Sequence, residues 1–320
     1  MMNRRKFLAT TAASAAATAL MPMPFVRAQS ETVIKMGALK LIHSIAPHFY
    51  EQFTPAGYKV EVIPFESPTE GKNAVVTKSV DFGMFGIGAA TLGAAAGEPI
   101  VVIGGACNKG MGVVAGKDSP IASIADLKGM RVAIWPGSTQ EVFILERLRM
   151  EGLSIADITP VRISFSEMHL ALARGDIDAY VGAEPAPGVS LASGVGKIVE
   201  YPYGTEMGAL NMIFGAHSDT LAERPELTSV ILDIHRQASE YAMANHEAMV
   251  EMAVMKLGQQ RDAIELSAPN VELTWYFGET ELKQSKIYAQ HMVELNQIQA
   301  LPDFETLFDT RFVEELKQKA

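Results

Sequence analysis

The feature that most constrains the fold is an internal repeat with an offset of 97 residues. Three pairs of short segments fall into step at this offset: Ile34–Met36 with Arg131–Ala133, Thr69-Glu70 with Ser166-Glu167, and Val80–Gly83 with Ile177–Tyr180. Each pair lies at the start of a predicted strand or helix. A repeat of this kind predicts two similar α/β lobes, each built from alternating strands and helices.

Short apolar runs alternate with helical patterns as far as Ala216. The clearest predicted strands are Val33–Gly37, Val60–Ile63, Ile100–Gly104, Arg131–Ile134 and Leu210–Gly215. This alternation predicts an α/β protein with largely parallel sheets. Beyond Ala216 the pattern is helical, and the predicted helices are Pro225–Asn245, a further helix to Leu257, Glu279–Gln297 and Phe312–Lys319. We expect these C-terminal helices to pack on lobe one.

The chain must cross between the lobes, and glycines and a strand mark the places. We predict crossings at Gly110–Gly112 and at Leu210–Ala216. The predicted division is 29–111 for the first part of lobe one, 112–211 for lobe two, and 212–320 for the return to lobe one and the C-terminal helices. Two lobes with few crossings predict a hinge.

The first 28 residues have the order of an export signal. Arg4-Arg5 precedes an uncharged Ala/Thr-rich run, Ala9–Leu20, and Val26-Arg27-Ala28 offers small residues for cleavage. This order predicts a signal peptide over residues 1–28, and the arginine pair predicts the Tat route. We therefore expect a periplasmic protein.

Charge and cysteine content exclude several functions. The formal net charge is -10, so nucleic acid is an unsuitable partner. The single cysteine, Cys107, excludes an internal disulfide and multi-cysteine metal sites. Because catalytic, nucleotide-binding and metal motifs are absent from the sequence, we expect no enzyme activity, no cofactor and no metal. We expect a monomer.

The repeat also locates a site. Ligands of open α/β sheets bind beyond the carboxyl ends of the strands, near helix N-termini. Six loops are predicted at such positions, three in each lobe: Ala38–His43, Phe65–Thr69, Gly86–Thr91, Trp135–Gln140, Phe165–Glu167 and Ala183–Pro187. Two lobes whose strand ends face each other form a cleft for a small molecule.

Several segments of lobe two together carry a resemblance to a known family: Asp126–Gly129, Arg131–Ile134, Pro136–Thr139, Ala171–Tyr180 and Glu184-Pro185. In this combination the chain resembles the nitrate/sulfonate/taurine-binding proteins of ABC importers, a family that includes binders of thiamine-pyrimidine precursors. The resemblance implies a type II periplasmic binding protein, with a small-molecule ligand and an inner-membrane ABC permease as partners.

Some side chains at the loops suit particular ligand groups. Ser138 and Thr139 precede a helix, so their hydroxyls and the free N–H groups favour an anionic group, although a plain N-cap has the same pattern. Glu184 and Glu66 follow strands, where a carboxylate accepts hydrogen bonds from an amine or caps the next helix. A site with both donors and a carboxylate suits a solute with an anionic end and an amine end.

Other candidates have two interpretations. Phe65 and Trp135 either form apolar walls for a ligand or pack between the lobes. Lys40 either balances an anion or is solvated, and Asn108 offers hydrogen bonds near the first crossing. The predicted ligand-binding residues are Lys40, Leu41, His43, Phe65, Glu66, Gly88, Ala89, Asn108, Trp135, Ser138, Thr139, Ser166, Glu184 and Asn211.

The resemblance and the site predict a periplasmic substrate-binding component of an ABC importer. Its expected ligand is a small polar solute, taurine-like or another small sulfonate. Three alternatives stay open: a binder of an aminopyrimidine or aromatic solute, an exported enzyme on the same fold, and a ligand-binding sensor for a membrane receptor.

Overall fold

The computed structural model describes residues 31–319. The predicted signal peptide at residues 1–28 lies outside the described residues, and the export route stays a prediction. Within the described residues, no helix has the length and apolar character needed to cross a membrane.

The described residues form eleven strands in two sheets. In chain order the strands are β1 (Thr32–Leu39), β2 (Tyr58–Phe65), β3 (Phe82–Gly86), β4 (Ile100–Lys109), β5 (Met111–Gly116), β6 (Arg131–Ile134), β7 (Thr159–Arg162), β8 (Ala179–Ala183), β9 (Gly196–Glu200), β10 (Leu210–His217) and β11 (Val271–Leu273). Each of the five strands predicted from the sequence coincides with one of them.

Twelve α-helices accompany the strands in the described part of the chain. They are α1 (Pro68–Val76), α2 (Ile87–Ala95), α3 (Thr139–Met150), α4 (Met168–Arg174), α5 (Ala186–Ala192), α6 (Ser218–Glu223), α7 (Pro225–Ala244), α8 (His246–Leu257), α9 (Arg261–Ser267), α10 (Glu279–Glu294), α11 (Phe304–Leu307) and α12 (Arg311–Lys319). Short 3₁₀ helices cover Ile42–Ser44, Ala46–Gln52, Ile124–Leu127, Ile155–Asp157 and Ala268–Asn270. The helices predicted after Ala216 are confirmed as α7, α8, α10 and α12.

The two sheets confirm the prediction of two similar α/β lobes. Lobe one is the sheet β11-β4-β10-β3-β1-β2 with its helices, and lobe two is the sheet β7-β6-β8-β5-β9 with its helices. In both, three strands of the repeat run parallel, as β2-β1-β3 and β7-β6-β8. Gly110 joins β4 to β5, and residues 201–209 lead back to β10. The division of the chain after residues 111 and 211 stays a prediction.

The prediction of largely parallel sheets is wrong, because both sheets are mixed. The strands that carry the chain between the lobes, β4, β5 and β10, all run antiparallel to their neighbours. Periodicity reveals that a strand exists and which faces it buries, but it does not reveal the strand's direction.

Two aspartates show how closely the lobes repeat. A carboxylate oxygen of Asp81 accepts the backbone N–H of Lys35 at 2.8 Å, and Asp178 accepts that of Arg131 at 2.8 Å. The aspartates are 97 residues apart, but their partners are 96 apart. The predicted alignment of Ile34 with Arg131 is therefore wrong by one residue. The inner halves of these strands are buried on both faces, so no alternation of residue types fixes their register.

The C-terminal helices pack on lobe one as predicted, and two of them also reach lobe two. Helix α7 lies against the 3₁₀ helix Ala46–Gln52, and α11 and α12 contact β4. In addition, α9 packs on α5 and α10 contacts α3; the helices α5 and α3 belong to lobe two. The C-terminal part of the chain thus holds the two lobes together at two further places.

Candidate functional site

A cavity of about 150 Å³ lies between the lobes, beyond the carboxyl ends of β1, β2 and β8. Lobe one and lobe two both contribute walls, and the end of α8 closes a third side. The lining residues are Lys40, Leu41, Glu66, Phe165, Ser166, His169, Ala183, Pro185, Ala186, Val189, Leu257 and Gln259. The position agrees with the general rule for ligands of open α/β sheets. The volume suits a small solute.

An ion pair forms the charged wall of the cavity. The Lys40 ammonium contacts a Glu66 carboxylate oxygen, and both side chains are about half exposed, at 52% and 56%. Both backbones are fixed, because the Lys40 N–H donates to the Phe65 carbonyl at 3.0 Å and the Glu66 N–H donates to the Glu70 carboxylate at 3.0 Å. The wall therefore offers one cation and one anion, held side by side at the ends of neighbouring parallel strands.

The opposite wall carries neutral polar groups. The hydroxyl of Ser166 lies 3.2 Å from that of Ser164, which donates to Glu167 at 2.7 Å. His169 also lines the cavity, and its buried Nδ1 has no hydrogen-bond partner among residues 31–319. Burial lowers the pKa of His169, so the imidazole is uncharged at neutral pH. His169 is absent from the predicted set, because no sequence motif marks it and only its position in α4 brings it to the cavity.

The remaining walls are apolar apart from Gln259. Leu257 and Gln259 flank Gly258, which has φ +68° and ends α8 in the left-handed conformation. This turn lies outside the repeat, so the repeat gave no reason to include it in the site. Apolar walls with a few polar groups are typical of small-molecule sites.

The predicted anion site at Ser138 and Thr139 lies outside the cavity lining. Both residues are 1% exposed, and the Ser138 hydroxyl accepts the Glu141 N–H at 3.2 Å as a helix cap. The Thr139 hydroxyl donates to the carbonyl of Asn211 at 3.2 Å. Gly88 of α2 covers this helix start so closely that a Cβ there would lie 3.1 Å from the Thr139 nitrogen. The contact is therefore one between the lobes, in which the Thr139 hydroxyl donates to lobe one and the Ser138 hydroxyl caps the helix.

Glu184 lies below the cavity floor rather than in it. Its neighbours Ala183 and Pro185 line the cavity, but Glu184 itself is 0% exposed. Its two carboxylate oxygens accept hydrogen bonds from the Gly188 N–H at 3.0 Å and the Asn270 side-chain amide at 2.9 Å. Burial raises the pKa of Glu184 to about 7. This geometry favours the capping role over contact with a ligand.

The other predicted residues lie outside the cavity lining. His43 is 1% exposed and lies against Gly110, and Asn211 donates its side-chain amide to the Lys109 carbonyl at 2.6 Å. The Trp135 ring lies under the Arg162 guanidinium, at 4.9 Å. The structure also places Phe65 beside Gly37, Ala89 inside α2 and Asn108 in β4. Of the predicted set, the cavity brings together Lys40, Leu41, Glu66 and Ser166.

Within residues 31–319, no three His, Cys, Asp or Glu side chains are placed to hold a metal ion together. Cys107 is buried, and burial raises the pKa of its thiol to about 12. The thiol is therefore protonated at neutral pH and shielded from solvent.

Comparison with known proteins extends this description. The family model described as NMT1/THI5 like matches residues 50–249, which is more than half of the chain. A relative from Escherichia coli K12, whose name assigns it the binding of aliphatic sulfonates, is 23% identical over 202 residues. That match covers 62% of this chain and 63% of the relative, so the chain matches less than two thirds of the relative's length.

Two solved structures illustrate the range of the fold. The alkanesulfonate-binding protein SsuA from Xanthomonas axonopodis pv. citri bound to MOPS superposes with a TM-score of 0.75 at 20% identity, covering 86% of this chain and 96% of that chain. The desulfurization enzyme DSZB superposes with a TM-score of 0.68 at 17% identity, covering 91% and 100%. At these identities the likeness shows the fold alone.

Proposed function

The chain belongs to the NMT1/THI5-like family, and on that premise we propose that it is the periplasmic solute-binding component of an ABC importer. The observation that carries the proposal is the small cavity between the lobes, which has a charged wall on lobe one and a neutral polar wall on lobe two. A binding protein of this shape captures its solute by closing the lobes on it. The sulfonate-binding relatives support a small sulfonate as the ligand.

The charged wall supports a ligand that carries both charges. A plain anion next to Lys40 also meets the carboxylate of Glu66, and like charges in a closed site repel. A solute with an anionic group and an ammonium group satisfies both residues at once, because each end finds its opposite. An aminosulfonate such as taurine fits this pattern better than ethanesulfonate or nitrate. An aminopyrimidine offers an amine to Glu66 but no anionic group to Lys40.

The direct test is a binding screen followed by calorimetry. We expect taurine to bind at least tenfold more tightly than ethanesulfonate, a difference of about 1.4 kcal/mol. Changing Glu66→Gln should narrow that difference, and Lys40→Met should weaken both ligands. The matched control is the ion pair Lys59–Glu61 on β2, which is similarly exposed and lies outside the cavity lining. Lys59→Met and Glu61→Gln should leave both affinities unchanged.

Two outcomes would contradict the proposal. If no sulfonate, nitrate or aminopyrimidine binds, the sulfonate and precursor classes are both wrong. If taurine and ethanesulfonate bind equally and Glu66→Gln changes neither affinity, the ion pair does not discriminate between sulfonates with and without an amine.

An enzyme on the same fold is the alternative that the DSZB likeness raises. The one cysteine of this chain is buried and its thiol pKa is raised, which disfavours thiol chemistry at that position. Product analysis after incubation with a bound sulfonate separates the two functions, because a binding protein returns the sulfonate unchanged.

A further inference from the structure

Three residues at the first crossing between the lobes form a closed ring of hydrogen bonds. The backbone N–H of Glu184 donates to the Gly110 carbonyl at 2.9 Å, and the Gly110 N–H donates to the Asn270 carbonyl at 2.7 Å. The side-chain amide of Asn270 then donates to the Glu184 carboxylate at 2.9 Å. Each residue is thus held by both of the others.

The ring spans the two lobes. Gly110 joins β4 of lobe one to β5 of lobe two, Glu184 follows β8 in lobe two, and Asn270 precedes β11 in lobe one. A rotation of lobe two away from lobe one at Gly110 acts directly on the contact between Glu184 and Asn270. The other carboxylate oxygen of Glu184 accepts the Gly188 N–H, so the carboxylate is fixed to α5 and cannot follow Asn270.

Gly110 and Glu184 are buried and Asn270 is half-buried, and the donors to the Glu184 carboxylate are uncharged. The groups near the Glu184 carboxylate are the hydroxyls of Tyr180, Tyr201, Tyr203 and Ser267 and the amide of Asn270. The His43 imidazole lies against Gly110 at the same crossing, and neither of its nitrogens has a hydrogen-bond partner within residues 31–319. A buried carboxylate that loses one of its three neutral donors, the Gly188 N–H, the Ser267 hydroxyl and the Asn270 amide, loses stabilisation. The hydrogen bond from Asn270 therefore favours the arrangement in which the lobes are together.

The conformation of Gly110 suits this role. Its φ is +75°, and a Cβ at this position would overlap the His43 ring. Only glycine tolerates both conditions, so this crossing requires glycine.

We propose that Gly110, Asn270 and Glu184 form a clasp at the hinge that sets the balance between open and closed lobes. On the proposed function, Glu184 is then a positioning residue for ligand capture and does not touch the ligand. Glu184 changes ligand affinity only by changing the closed fraction of the protein. A change at Glu184 should therefore alter the affinity of every ligand by the same factor.

The test exchanges the donor and acceptor side chains of the hydrogen bond between Asn270 and Glu184, and it is carried out at pH 8. Asn270→Asp places a second carboxylate beside that of Glu184, which should open the lobes. Adding Glu184→Gln to that variant restores an amide–carboxylate hydrogen bond with donor and acceptor exchanged, and the new amide oxygen still accepts the Gly188 N–H. Lowering the pH to 6 should also rescue the Asn270→Asp single variant, because two neighbouring carboxylates can share one proton.

Lobe closure is read as the distance between spin labels at Glu61→Cys in lobe one and Asp176→Cys in lobe two. Both positions are exposed, and the native Cys107 is buried away from the label. At pH 8, we expect Asn270→Asp to reduce the closed fraction and to weaken taurine and ethanesulfonate by the same factor, at least tenfold. We expect the double variant to recover to within about threefold of the wild type. Asn245→Asp, at the end of α7, is the matched control and should change neither readout.

Each contrary result overturns the proposal. If Glu184→Gln weakens taurine but not ethanesulfonate, Glu184 touches the amine of the ligand. If the double variant, or the single variant at pH 6, stays as open as Asn270→Asp at pH 8, Asn270 has a merely structural role. If neither sulfonate binds, the proposed function fails by itself, and the label distances in the ligand-free protein still decide for or against the clasp.

Discussion

The contact between Gly88 and the start of α3 allows a test of lobe closure by a single methyl group. In the Gly88→Ala variant, the added carbon would lie 2.7 Å from the Tyr288 hydroxyl and 3.1 Å from the Ser138 carbonyl carbon. The Ser138 atom is backbone and Tyr288 is fully buried, so α2 and α3 must separate by a few tenths of an ångström. Overpacking of this kind costs about 1–3 kcal/mol.

The overpacking free energy opposes closure of the lobes rather than folding of the chain, because Gly88 and Ser138 belong to different lobes. In the open arrangement the methyl group no longer meets the backbone of α3, and the remaining contact with the Tyr288 hydroxyl is offset by the better helix propensity of alanine, about 1 kcal/mol. Ligand affinity should therefore fall roughly 5- to 150-fold, at about 1.4 kcal/mol per factor of ten. The free energy of unfolding without ligand should change by less than about 1 kcal/mol.

Calorimetry with the tightest sulfonate and urea denaturation of the ligand-free protein measure the two quantities. Gly204→Ala is the matched control, since a Cβ at Gly204 has open space around it. The reasoning is refuted if Gly88→Ala keeps the wild-type affinity. It is equally refuted if the free energy of unfolding falls by as much as the binding free energy, because the cost then belongs to the fold and not to closure.

The other predictions concern export, pH and strand anchoring. Changing Arg4 and Arg5 together to lysine should stop export, and a periplasmic fraction equal to the wild type would exclude the Tat route. Burial lowers the pKa of His43 to about 4, so the wild type should lose about 2 kcal/mol of unfolding free energy between pH 7 and pH 5 through this residue, because the unfolded imidazole takes up a proton that the folded one does not. His43→Leu should remove that loss in denaturation curves at the two pH values, and an unchanged pH dependence would contradict it. Asp178→Asn should lower the free energy of unfolding by about 1 kcal/mol, because Asp178 accepts hydrogen bonds from the Arg131 backbone and guanidinium; equal urea midpoints would show that these bonds contribute nothing.

The repeat predicted the architecture because it records a physical duplication of strands and helices. It placed Lys40, Leu41, Glu66 and Ser166 correctly at strand ends, since that position follows from strand direction alone. It did not reveal which loops meet across the cleft, because this depends on how far the lobes close.

The candidates that lie outside the cavity lining satisfy groups of the protein itself. Ser138 and Glu184 have the residue types of a ligand site, but the same types satisfy buried backbone groups, and here they do so. Gln259 and Leu257 line the cavity without any motif, because a turn after α8 brings them there through tertiary packing. Local patterns therefore predict which groups need partners, and only the folded chain decides what those partners are.

The route of the chain between the sheets has a consequence for the order of synthesis. The strands of lobe two, β5 to β9, are contiguous between residues 111 and 200, so this sheet is complete once they have been made. The sheet of lobe one is complete only after β10 and β11 have been synthesised, and β11 ends at Leu273. Until β10 arrives, β3 has a free edge, and its five residues are all buried in the finished protein. A nascent chain therefore passes through a period in which an apolar strand edge is open to wrong pairing, and this edge is where a chaperone would be needed.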